Sequence, residues 1–92
     1  MTKRAVWVER TEPESKTWVV PMPVGAKILS VQNQHEKLTV WFECDPRAGR
    51  EERHLKLVHT GSEFSRPVND AYLGTVQFGG GAYVLHVYEV VR

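Results

Sequence analysis

Three observations predict an all-β domain. Apolar and polar residues alternate over short runs, and turn residues recur about every 8–12 positions. No stretch carries the 3.6-residue periodicity of an amphipathic helix. About seven short, mostly antiparallel strands are expected, closing as a small sandwich or a small barrel. Residues 1–92 form one β-rich domain, because no linker, repeat or low-complexity tract beyond three consecutive glycines divides them.

Ala5–Glu9 is the first expected strand, with Val6 and Val8 on one face and Ala5 and Trp7 on the other. The polar run Arg10–Ser15, which includes Pro13, reads as a turn. Lys16–Val20 resumes the alternation until Pro21, Pro23 and Gly25, where a break is expected because proline removes a ladder donor. Ala26–Gln32 is a third strand with Leu29 and Val31 toward the core. After the polar loop Asn33–Lys37, Leu38–Cys44 alternates most regularly, with Leu38, Val40, Phe42 and Cys44 on one face and Thr39, Trp41 and Glu43 on the other. Asp45-Pro46 carries the signature of a helix start, so a short helical turn is predicted near 45–52. His54–Thr60 is a fifth strand, and Gly61–Ala71, with Pro67, Asn69 and Asp70, is a long loop. Two β-prone runs around Gly79-Gly80-Gly81 form a closing hairpin.

Bulk composition excludes several classes of function. Twelve Lys and Arg against eleven Asp and Glu leave a net charge of +1, which gives no strong nucleic-acid signal and no pull toward an anionic membrane. No run approaches the roughly 20 apolar residues of a membrane span, and the apolar run after the basic start is too short for a signal peptide. The single cysteine, Cys44, rules out an intrachain disulfide. A domain this small buries only about 60–65% of its unfolded surface, so assembly into a homo-oligomer is expected to help it.

The motifs point to binding rather than chemistry. His35, His54, His59 and His86 lack metal-ligand spacing, so no metal and no cofactor is expected. No nucleophile elbow or paired-carboxylate framework is present, and no enzyme is expected. The three glycines precede a strand rather than a helix, which argues for a turn over a phosphate loop. Arg47, Arg50 and Arg53 recur every third residue and would share one side of a helical turn as a receptor for phosphate or carboxylate. Their competing use is a solvated loop paired with Glu43, Asp45, Glu51 and Glu52. Trp41 or Tyr83 would stack on a base, with core or interface packing as the alternative. His59, Thr60 and Gly61 lie in a segment that would offer backbone amides to an anion, and His86 would contact it from the last strand.

Five segments together carry a family likeness: Pro23-Val-Gly-Ala-Lys-Ile-Leu-Ser-Val-Gln32, Trp41 with Asp45-Pro46, His59-Thr-Gly61, Tyr72-Leu-Gly-Thr-Val-Gln77, and Gly80-Gly-Ala-Tyr-Val-Leu-His-Val-Tyr-Glu89. With them the chain resembles a group of small uncharacterised proteins of tailed phages and prophages, described as a domain of unknown function. The resemblance covers nearly the whole chain and departs from the group at Arg47–Glu52 and Phe64–Asn69. It transfers no site. It implies the host bacterial cytoplasm as the setting. In that setting the expected function is an oligomeric, non-catalytic sponge for a small anionic nucleotide immune signal. The alternatives are an inhibitor that binds a host protein, or a virion or assembly accessory protein.

Overall fold

The structure is a computed structural model that describes residues 3–66 and 70–90. Seven strands run in order: β1 (Ala5–Thr11), β2 (Thr17–Pro23), β3 (Lys27–Gln34), β4 (Lys37–Cys44), β5 (Arg50–His59), β6 (Ala71–Phe78) and β7 (Tyr83–Val90). All pairings are antiparallel. They make a three-stranded sheet, β1-β4-β3, and a four-stranded sheet, β2-β5-β7-β6. The two sheets enclose one core instead of closing into a barrel.

The alternation in β4 is the spine of that core. Leu38, Val40, Phe42 and Cys44 are all at or near zero exposure, facing Val20, Met22, Leu55, Leu85, Val87 and Phe78 of the other sheet. Burying side chains of this size contributes about 1.5–3 kcal/mol each. The sheets approach most closely through β3 and β6. Gly74 makes that approach possible, because a Cβ there would stand 2.9 Å from Cγ2 of Val31. Val31 is stiff at χ1 and buried, so it has little room to yield. Gly74→Ala is expected to destabilise the fold by about 1–3 kcal/mol in denaturant unfolding, the usual range for overpacking.

Four local expectations are corrected. No helical turn forms at 45–52. Asp45 instead closes a tight turn, accepting from the Arg47 amide at 3.0 Å while the Ala48 amide donates to the Asp45 carbonyl at 3.1 Å. β5 therefore starts at Arg50, paired with Pro23. β2 also runs through Pro21 and Pro23, which is tolerated because β2 is an edge strand. In β3 the pairing slips between Ile28 and Ser30. The extra residue, Leu29, is 47% exposed, and Ile28 joins Val31 on the core side in its place. Pro67 and Asn69 of the expected long loop lie outside the described residues.

The closing hairpin forms as expected, with a short 3-10 turn at Gly79–Gly81. All three glycines have positive φ (59°, 67° and 95°), which explains why no side chain is carried there. The Gly79 amide is already spent, donating to Oε2 of Glu36 at 2.9 Å.

Candidate functional site

The outer face of the four-stranded sheet follows from strand period alone. In β7, Leu85 and Val87 point inward, so His86 and Tyr88 point out. Register then places Tyr72, Tyr88, Lys56 and Thr17 in one row across the sheet, and Thr75, His86 and Val58 in the next. A bulge at Leu73 in β6 brings Tyr72 and Thr75, three apart, to the same face.

Gly61–Arg66 leaves the end of β5 and folds back over this face. Its turn is set by the Ser62 amide donating to the His59 carbonyl at 3.0 Å and by Gly61 at φ +90°. Phe64 reaches Tyr88 with ring centroids 5.3 Å apart, and Tyr88 meets Tyr72 at 5.4 Å. Two cations sit on this aromatic run. The Lys56 ammonium is 5.9 Å from the Phe64 ring centre, and the Arg66 guanidinium is 5.2 Å from that of Tyr88. The Lys56 ammonium also donates to the Ser65 carbonyl and holds the segment down. Phe64 and Tyr72 remain 42% and 54% exposed, so ring surface is left for another aromatic group.

Phe64 borders two hollows. One, of about 220 Å³, is lined by Lys16, Lys56, Ser62, Glu63 and Phe64 among others. The other, of about 270 Å³, includes Thr60, Gly61, His86 and Tyr88 in its wall. A hydroxyl–imidazole chain runs into the second through Thr60 and His86. Tyr72 shares a hydrogen bond with Thr75, whose Oγ1 lies 3.0 Å from His86 Nδ1, and His86 Nε2 lies 2.8 Å from Thr60 Oγ1. Threonine hydroxyls occupy both ring nitrogens, so no carboxylate orients His86 as a catalytic base. The face therefore offers aromatic surface, cations and hydroxyl donors.

The residues singled out from sequence are distributed over several places. Thr60, Gly61 and His86 meet at the second hollow. His59 borders both hollows, while its ring stacks on Tyr83 with centroids 5.8 Å apart. Tyr83 stacks on buried Phe78 at 5.3 Å and belongs to the margin of the core. Trp41 is half-buried on the outer face of the other sheet. The three arginines have separate surroundings. Arg47 pairs with Asp45 at 3.3 Å, and Arg50 covers the Trp7 ring at 5.2 Å. Arg53 is clamped between both carboxylate oxygens of Glu89 and the carbonyl of Ala26. Lys16, Lys56, Phe64, Arg66, Tyr72, Thr75 and Tyr88 come together only because β5 pairs with β2 on one side and with β7 of the β6–β7 hairpin on the other, both far from β5 in sequence.

Electrostatics separate Tyr83 from this face. Desolvation raises its phenol above the ordinary 10.0, and the carboxylates of Glu14, Glu36 and Glu12 push it further. Because the folded pKa is raised, the stabilisation is present below the unfolded value and is lost as pH climbs through the folded one. A spectrophotometric titration compared with that of Tyr83→Phe is expected to assign to Tyr83 an ionisation above the ordinary 10.0.

Among the described residues no group of three potential ligands is placed to hold a metal, and no helix is long and apolar enough to cross a membrane. The chain matches, over residues 2–92, the family described as a domain of unknown function, DUF7352, and belongs to it. No curated protein and no solved structure matches it significantly.

Proposed function

We propose that this member of the DUF7352 family is a non-catalytic binding domain. Its ligand is a small anion with an aromatic ring, a nucleotide, held on the outer face of the four-stranded sheet beneath Gly61–Arg66. The carrying observation is a pair of adjoining rings with a cation at each: Lys56 at Phe64, Phe64 at Tyr88, and Arg66 at Tyr88. A base stacks on the exposed ring surface, and phosphate oxygens pair with Lys16 and Lys56, which line the first hollow with Glu63, and with Arg66 over Tyr88. Thr60, its hydroxyl held by His86, bonds the sugar or base edge from the second hollow. If the resemblance to phage and prophage proteins reflects this chain's setting, a host nucleotide signal is the class of ligand that fits, and sequestration the mode of action. Tight capture, not turnover, then sets potency.

Native mass spectrometry of the protein with linear and cyclic nucleotides tests this. The expected result is retention of one class of nucleotide, recovered at unchanged mass. A protein that retains no nucleotide, or returns it hydrolysed, contradicts the reading.

A further inference from the structure

Four strand edges bound the two sheets, and three of them are blunted. β2 carries Pro21 and Pro23, β3 carries the bulge at Leu29, and β6 carries the bulge at Leu73. The β3 and β6 edges are also closed against each other. β1 has none of these devices. It pairs with β4 over seven consecutive residues without a slip, contains no proline, and among the described residues has no strand on its other side. The core margin near this edge is also incompletely covered. Trp7 of β1, beside Phe42, and Trp18 of β2, beside Leu55, both point inward yet stay only half-buried. Val6 on the outer face of β1 is 58% exposed.

We infer that β1 is a self-association edge on which a second copy of this chain adds its own β1, antiparallel, making one continuous six-stranded sheet. The occupant is argued from charge and period. A two-fold axis normal to the sheet keeps inner faces inner, so paired residues must share a face and the axis must pass through one residue. Centred on Trp7, the pairing sets Arg4 against Arg10 of the second copy. Centred on Glu9, it sets Glu9 against itself. Centred on Val8, it sets Val8 against Val8 and Arg4 against Glu12, twice by symmetry. Like charges directly opposite are unfavourable and opposite charges favourable, so the Val8-centred register is selected. Arg4 and Glu12 are exposed and already reach in-chain partners, Glu43 at 2.6 Å and Lys37 at 3.4 Å. The added contacts thus make an alternating run, Lys37–Glu12–Arg4–Glu43, across the seam. On the inner face the same register sets Trp7 beside Glu9 of the second copy. This inference is independent of the nucleotide site, which lies on the other sheet.

Sedimentation equilibrium of the full chain, its Glu12→Lys variant and its Arg4→Glu, Glu12→Lys double variant tests it. The expected result is a concentration-dependent dimer whose dissociation constant rises roughly tenfold in Glu12→Lys and returns in the double variant, as two exposed pairs and their reversal allow. Amide hydrogen exchange on the unmodified chain provides a readout without substitution: alternate amides of Val6–Arg10 gain protection as concentration rises. A monomer at all concentrations, a dimer indifferent to Glu12→Lys, or β1 amides whose protection does not depend on concentration overturns the inference.

Discussion

Replacing Lys56 and Arg66 together by alanine is expected to weaken nucleotide binding at least about hundredfold, because each charge-assisted hydrogen bond to a phosphate is worth about 1.5–3 kcal/mol and about 1.4 kcal/mol is tenfold. Phe64→Ala is expected to cost about tenfold, within the range for loss of one base-stacking ring. Calorimetric titration measures both. Neither change removes core: Phe64 and Arg66 are exposed, and Lys56 is half-buried on the outer face. Thermal melting should therefore stay close to that of the unmodified chain, which separates lost binding from lost fold. Lys56→Arg discriminates further. It keeps the charge, so it should retain most of the affinity, whereas a purely structural role for the ammonium on the Ser65 carbonyl would be disturbed by the larger head.

Arg53→Ala is expected to destabilise the fold by about 2–3 kcal/mol in denaturant unfolding, while Arg47→Ala stays within about 0.5 kcal/mol. The contrast lies in their surroundings. The Arg53 and Glu89 side chains are only 18% and 13% exposed, and Arg53 bridges β5, the end of β7 and the Ala26 carbonyl. The hydrogen bond to Glu89 leads the causes that raise the Arg53 guanidinium above its ordinary value. Removing Arg53 strands a half-sequestered carboxylate and a carbonyl. Arg47 is 67% exposed and pairs with a neighbour two residues away. An Arg53 variant that binds nucleotide less well would therefore have to be judged against its loss of stability.

Strand alternation made most of the fold legible. β4 could be assigned face by face because one side of it is wholly buried and its register never slips against β1. The β3 core face was misplaced because one bulged residue breaks a period of two: Ile28 and Val31, three apart, share a side that alternation assigns to Leu29 and Val31. The 47-50-53 arginine spacing imitates a helix for a related reason. A period of three is equally available to a turn followed by a strand, and pairing with β2 decides the outcome. Thr60 and Gly61 were recognisable in the polar segment that leaves β5, and His86 as a polar residue within the last strand. Their partners were not, because Lys56 meets Tyr88, and Tyr72 meets Thr75, only after β5 pairs with β7 and β6 bulges at Leu73. The parity of His86 with Tyr88 was the one available signal that they share an exposed face.

The most direct measurement is chemical-shift mapping of the isotope-labelled protein titrated with the nucleotide that native mass spectrometry retains. Perturbations are expected at Lys56, Thr60, Ser62–Arg66, Thr75, His86 and Tyr88, with little change around Trp41 and the Asp45–Arg50 turn. Perturbations centred on that turn and Trp41, with the Gly61–Arg66 segment unaffected, would contradict the assignment of the site.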